Sequence, residues 1–459
     1  MSWGFNAEAQ RRKGAEGENG AAFPRGCDAA FKETEIGLVP VDWDVVPLNK
    51  VAKFTRKPRE LNLSIYETVP FIPMEFVPES GMIIDQYTPK AGSSIRSGTY
   101  CEKGDILLAK ITPSFENGKQ GIVDKIPLDF AYATTEVYPI QAKPSKLHQM
   151  FLFHYFRLPT VRAEVAGKME GSTGRQRIPK AVIEIYPIPL PPLPEQHRIA
   201  HALSAIQQAI AAQEDVIAAA RELKRSLMQR LFTYGPGPHP APTKETEIGE
   251  IPEHWNVKPL GSLALVKGGK RLPKGHSFAS SPTPYPYIRV TDFANWSVDT
   301  TNLRYLTAED REKISRYIIT ADDVYISIAG TIGTVGIIPE SLNGANLTEN
   351  AARIVIKHNE RLNKDFLVGY LASEKGKQQI DFRTTKTSQP KLALTRIKQI
   401  PLPLPPFPEQ SQISGVLSAI NKKIAAEEQR KAALDTLFRS TLQQLMTGQI
   451  RLNAEPQRR

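Results

Sequence analysis

The chain has 459 residues, 37 prolines and a formal charge of +11, with 41% hydrophobic and 23% charged residues. That length carries two to four domains, and the composition excludes a disordered tail; two cysteines, Cys27 and Cys101, exclude a disulfide framework. No apolar run reaches the ~18 residues of a membrane helix and the first residues lack a signal-peptide stretch, so a soluble cytoplasmic protein is expected, with a charge suited to an anion such as nucleic acid.

In chain order, residues 1–31 are rich in Ala and Gly, carry Arg11, Arg12 and Lys13, and read as a flexible extension. Residues 32–48, KETEIGLVPVDWDVVPL, form an opening motif around Trp43. A body follows over 49–186, with strand runs expected at 104–109 and 118–123 and another after Thr135-Glu136. Its loops group Lys110, Thr112, Asn117 and Lys119, and 171–177 form a basic loop with Arg175, Gln176 and Arg177 ahead of a strand expected at 181–186. These are side chains that pair with base edges or hold phosphates.

Residues 187–194, PIPLPPLP, hold five prolines in eight positions and stop the body before Glu195-Gln196. From 195 to 232 there is neither Gly nor Pro. Apolar residues at Ile199, Leu203, Ile206, Ile210 and Ile217 keep a spacing of three or four, then shift to Leu223, Leu227 and Leu231. This is a coiled-coil seam with a register slip, on a helix roughly 57 Å long. Pro236, Pro238, Pro240 and Pro242 form a stiff linker.

The order then repeats. KETEIGEIPEHWNVKPL at 244–260, with Trp255, matches the first motif at eleven of seventeen positions at an offset of 212. A second body spans 261–400, with strands expected at 323–328 and 333–338 and after Thr348-Glu349, and a basic loop at 384–391 containing Lys386, Thr387, Gln389 and Lys391. The proline stretch PLPLPPFP at 401–408 precedes Glu409-Gln410, 214 residues after Glu195-Gln196. A second helix is expected over 409–446, with Ile413, Leu417, Ile420 and Ile424, then Leu434, Phe438, Leu442 and Leu445. The chain is a duplicated pair, and the shared seam predicts antiparallel pairing of the two helices.

Catalytic motifs are missing. There is no phosphate loop of the G-x-x-x-x-G-K-[ST] type, Gly268-Gly269-Lys270-Arg271 being only a basic turn. Pro405-Pro406-Phe407 follows Leu404 where a methyltransferase motif needs a polar residue. His197 and His201 have metal-pair spacing but Arg198 follows the first, so polar residues on a helix face are the better reading. Glu222-Leu223-Lys224 lacks the upstream Asp of a nuclease site. No catalytic residue, metal or cofactor is expected in this chain.

On Leu190–Gln196, Leu404–Gln410 and the opening motifs at 35–43 and 247–255, the chain resembles the specificity subunit of type I restriction–modification systems over about 32–449. The resemblance implies an α+β fold: two similar mixed α/β target-recognition domains joined by two long antiparallel coiled-coil helices, duplicated about a pseudo-twofold. The expected domains are a flexible extension at 1–31, target-recognition domains at 32–190 and 244–402, spacer helices at 191–234 and 403–449, a linker at 235–243 and a tail at 450–459. Each domain would read one half of a bipartite site in double-stranded DNA, and the helices would set the spacing. Two methylation subunits using S-adenosylmethionine, and restriction subunits using ATP and Mg, would supply the chemistry. Trp43, Trp255, Glu195, Gln196, Glu409 and Gln410 are the expected docking residues. The competing readings are a single-chain DNA methyltransferase or endonuclease and a protein-only coiled-coil adaptor.

Overall fold

The structure, a computed structural model, describes residues 30–452 apart from 173, 386 and 387. Lys386 and Thr387 of the second basic loop, most of the N-terminal extension and residues 453–459 lie outside the described residues. The chain forms two compact units, one comprising the residues up to 211 and those from 434 onward, the other 212–433. Each unit therefore takes a share of both long helices, across the expected spacer boundaries.

In the first unit a five-stranded sheet runs in the order Ala52–Phe54, Val137–Ala142, Ile106–Ala109, Gln120–Val123, Ile83–Ile84. A four-stranded sheet runs Thr88–Lys90, Val69–Ile72, Phe130–Ala133, Thr99–Glu102. The second unit repeats the pair: Ala264–Gly268, Ala351–Ile356, Val324–Ser327, Val335–Ile337, and Arg304–Tyr305, Pro286–Ile288, Ala345–Leu347, Ile318–Ile319. Ile106–Ala109 and Val324–Ser327 are buried at every position, as their continuous apolar or small-residue runs require of central strands. The expected strand at 181–186 is instead a short helix, Lys180–Glu184. Pro179 precedes it and fits the start of a helix, whose first N–H groups lack partners anyway.

The proline stretches do more than stop the bodies. Pro187–Leu190 pairs antiparallel with Asp44–Pro47, and Pro401–Leu404 with Asn256–Pro259. Proline cannot donate to a ladder, so it is tolerated because each is a two-stranded ribbon with one side left unpaired. The opening motif and the proline stretch are thus the two halves of one element. The long helices begin inside the stretches, at Leu193–Tyr234 and Phe407–Met446. Pro194 and Pro408 sit in the first turn, where a missing N–H costs nothing.

The expected register slip is absent. In the first helix the buried side follows Ile199, Leu203, Gln207, Ile210, Gln213, Ile217 and Ala220 without a break and continues to Met228 and Leu231, whereas Leu223 is 51% exposed. The slip arises only if polar Gln207 and Gln213 are left out of the stripe. In the first unit, Ile199 and Leu203 share a core with Trp43, Phe151 and Leu442. In the second, Met228 and Phe232 share one with Trp255, Phe366, Ile413 and Leu417. Also in the second unit, Ala220 packs with Ile420 and Ile424, and Gln213 donates to the Glu427 carboxylate at 2.7 Å. Partner numbers fall as helix numbers rise, which is antiparallel pairing.

The linker and the tail are both tied down. The linker folds back on its helix, Arg230 donating to the carbonyls of Gly237 and Pro238, and Ala241 N–H to that of Tyr234. The tail returns Arg451 to Asp42 of the opening motif, while Phe31 belongs to the hairpin Phe31–Thr34 with Gly37–Pro40. Among the described residues, no helix is long and apolar enough to cross a membrane.

Candidate nucleic-acid interface

The residues expected to dock partners lie inside the units. Trp43, Trp255, Glu195, Gln196 and Gln410 are buried. Gln196 accepts from His148 N–H and donates to the Lys146 and Pro191 carbonyls; Gln410 accepts from Asn363 N–H and donates to those of Arg361 and Pro405. The two glutamines repeat one device, a side-chain amide that fastens the helix start to the body. Trp43 donates to Glu195 at 3.3 Å, and Trp255 to Glu409 at 2.9 Å. Glu409 alone of the six is partly exposed, and its other oxygen is hydrogen-bonded to His254. These side chains hold the ribbon, the helix and the indole together. Five of the six are buried with partners inside their own unit, and Glu409 keeps a partly exposed carboxylate.

The basic residues of the first unit are brought together from two distant stretches. Ile178 N–H donates to the Lys110 carbonyl at 2.8 Å and Thr112 N–H to that of Gln176 at 3.0 Å. Arg177 reaches Glu136 through two parallel bonds, 2.9 Å from Nε and 2.7 Å from Nη2, and this pairing holds the Glu136 carboxyl below its usual range. Lys110 lies 4.8 Å over the Tyr138 ring, and burial lowers its ammonium from the ordinary lysine value. Tyr138 meets Phe54 edge-on, and Lys180 lies 4.5 Å over Phe54. The result is a surface on which cations alternate with aromatic rings.

The other expected residues divide. Asn117 and Arg175 are exposed, and Gly171 and Gly174, with φ of 125° and 81°, shape the turn that carries Arg175. Lys119 turns away, its ammonium donating to the Met74 and Val77 carbonyls at 3.0 and 3.2 Å. Thr112 donates to Glu116. In the second unit Gln389 and Lys391 are exposed.

Backbone bonds align the two units. Lys110 N–H donates to the Glu136 carbonyl and Ile328 N–H to that of Asn350; Leu392 N–H donates to the Ile328 carbonyl as Ile178 N–H does to that of Lys110. Glu136 therefore corresponds to Asn350, one residue on from the Glu349 with which the repeated Thr-Glu pair aligns it. Where the first unit has Lys110, Glu136 and Tyr138, the second has Ile328, Asn350 and Ala352, on the same scaffold.

Sequence reasoning passed over one recurrent feature. Lys53 in the edge strand of the first body, and Arg56, Lys57 and Arg59 just after it, are exposed. Lys267, Lys270, Arg271 and Lys274 are likewise exposed in the second. The second stretch runs beside Thr348, because Gly269 brings backbone so close that a Cβ would lie 2.0 Å from the Thr348 carbonyl oxygen. The signal was available in the recurrence of a basic run, three of whose four residues repeat at an offset of 214. Among the described residues, no group of three or more His, Cys, Asp or Glu is placed to hold a metal ion.

Two copies of one body, each carrying basic loops of different chemistry on equivalent strands, define a duplicated recognition module. Over 40–220 and 252–436 the chain matches the family model described as the type I restriction modification DNA specificity domain, and it belongs to that family. It is 25% identical over 435 residues to the type I restriction enzyme MjaVIII specificity subunit of Methanocaldococcus jannaschii, covering 92% of this chain and 96% of that protein. It is 26% identical over 437 residues to the putative MjaX specificity subunit of the same organism, covering 92% and 97%. A solved type I restriction-modification S subunit from M. genitalium has the same fold, with a TM-score of 0.55 at 14% identity over 88% of this chain and 96% of that one.

Proposed function

We propose that the chain is the sequence-specific DNA-binding specificity subunit of a type I restriction–modification complex, each body reading one half of a bipartite site in double-stranded DNA. The observation that carries this is the exchange of Lys110, Glu136 and Arg177 for Ile328, Asn350 and Lys391 at equivalent backbone positions. A conserved frame with exchanged polar groups is what two different half-sites require. The basic runs at 53–59 and 267–274 hold phosphates, and the loop side chains read base edges.

The chain itself is non-catalytic in this reading. Methylation subunits, two per chain, supply S-adenosylmethionine chemistry, and restriction subunits supply ATP- and Mg-dependent cleavage. They dock on exposed apolar side chains rather than on the buried knots: Leu38 and Val41 within the opening motif, and Val216, Leu223, Val416 and Leu437 on the outer faces of the helices. Exchange of residues 49–186 for another body tests the reading. The methylated motif of the host DNA is expected to change in one half only; a change in both halves, or in neither, overturns it.

A further inference from the structure

The two units differ where the long helices meet the body. Tyr155 Oη donates to the Pro187 carbonyl and Tyr370 Oη to that of Pro401, so these tyrosines are equivalent. His154 then corresponds to Gly369 and Arg157 to Ala372. On the helices the buried stripes align Phe438 with Lys224. In the first unit this seam is filled. Arg157 donates to the Ser80 and Gly81 carbonyls at 2.8 and 2.5 Å and lies over Phe153. The His154 ring stands between Phe153 and Phe438. In the second unit two of these three bulky groups are reduced to Gly369 and Ala372, and the third becomes Lys224. Leu417 and Phe232 close over Gly369, and a cavity of about 990 Å³ opens at Ala372 and Lys224.

The wall of that cavity carries an indole and several cations. Asn295 and Trp296 both have positive φ, 49° and 62°, a conformation that crowds the Cβ of an L residue. The turn is held against the neighbouring strand by Ile337 N–H donating to the Trp296 carbonyl at 2.9 Å. Gly336 permits the approach, since a Cβ there would lie 2.5 Å from the Trp296 backbone. Strain of this kind persists where it positions a side chain. Here it places the indole on the cavity wall, with the Lys224 ammonium 3.9 Å from its ring centroid. Burial, with Lys377 and Arg221 close by, pushes Lys224 down to about 8. The carboxylate that offsets this is Glu428, which already accepts from Arg221 at 2.6 Å and Asn295 at 3.4 Å. Glu247, Glu374 and Asp381 also line the cavity, as does Lys375, whose ammonium donates to the Phe232 and Glu250 carbonyls and the Thr233 hydroxyl.

We propose that this cavity binds a nucleoside phosphate, the phosphate between Lys224 and Lys377 and the base against Trp296. The volume lies within the ~300–1,000 Å³ of small-molecule sites. A phosphate would neutralise the crowded cations, and moving Lys224 onto it would free the indole face for stacking. A duplex presents its phosphates on a convex cylinder, whereas this wall is concave. The cavity's lining reaches Asp381, three residues ahead of the basic loop at 384–391, but includes none of the side chains assigned to base reading, so it can fail without the specificity reading failing.

Titration of the full chain with ATP, AMP, inorganic triphosphate and a polyglutamate peptide, by calorimetry without metal, tests it. One saturable site is expected, with ATP bound about tenfold more tightly than triphosphate, and Lys224→Gln and Lys377→Gln each weakening ATP about tenfold. Ala372→Arg, which restores the plug of the first unit, is expected to abolish binding. Gel-shift affinity for DNA is expected to be unchanged in the lysine variants. No saturable binding, equal affinity for ATP and triphosphate, tighter binding of the peptide, or a parallel loss of DNA affinity in Lys224→Gln would each overturn the proposal.

Discussion

The two tryptophan knots solve one problem with different charges. Each unit buries an indole whose N–H donates to a helix-start glutamate: Trp43 to Glu195, and Trp255 to Glu409. In the first unit Glu195 is buried, and Arg451 from the returning tail bridges it to Asp42 through bonds of 2.6–2.9 Å. In the second unit His254 stands where Asp42 does, and bonds Glu409 directly at 2.8 Å. The difference teaches that the glutamate is the constant and its partner is free to come from either side. A buried carboxylate needs a donor, and any donor within reach satisfies it.

The largest effect that could break this comparison is at the indoles themselves. Trp43→Ala and Trp255→Ala are each expected to cost about 3–5 kcal/mol, since both rings are fully buried in the main cores. Denaturant unfolding followed by unit-resolved hydrogen exchange checks whether each change is felt in its own unit. Loss of stability in one unit only, whichever tryptophan is removed, would mean that the knots are not equivalent.

The next effect separates the partners. Arg451→Ala strands the buried Glu195 and is expected to cost about 3 kcal/mol. His254→Ala acts on a half-exposed pair and is expected to cost no more than ~1 kcal/mol. Thermal melts of the two variants rank them. The pairing with Arg451 holds the Asp42 carboxyl below its usual value. Its contribution is therefore complete above the unfolded value near 4 and is lost as pH falls through the lower folded value. Arg451→Ala removes that part of the acid stability.

A third difference is pH dependence at the seam. Burial pushes His154 down to about 3, so it stays neutral in the fold. Below the unfolded value of ~6.5 the unfolded chain takes up a proton that the folded chain refuses, so stability falls from about pH 6.5 towards pH 3. The second unit has Gly369 at that place and lacks this slope. His154→Leu is expected to flatten the acid limb for the first unit alone, measured by hydrogen exchange across that pH range.

The smallest effects sharpen the comparison of the loops. Arg177→Ala and Lys391→Ala are each expected to lower the slope of log affinity against log salt by about one if they hold phosphate. If they read bases, they relax one half-site each. Arg177→Ala also frees Glu136, whose carboxyl then returns toward its ordinary value, a shift that side-chain NMR detects.

Much of this architecture is written in the chain. The two opening motifs, the two proline stretches and the glycine-free helical runs fix the duplication and the helix spans, because proline and glycine act on the local backbone whatever surrounds them. The strand runs at 104–109 and 323–328 are legible because a continuous apolar stretch has one low-energy place, inside a sheet. The unbroken helix stripe was not legible: Gln207 and Gln213 are buried by context, and no scale marks a glutamine as core. Nor was the direction of Trp43, Glu195 and Gln196, which recur in both halves and face inward. Recurrence signals importance without saying whether it serves a surface or a core. The pairing of Arg177 with Glu136, the return of Arg451 to Glu195 over 256 residues and the opening of the seam at Ala372 were decided by tertiary structure alone. Each depends on a distance between residues remote in sequence, and that distance is set only when the sheets and helices have packed.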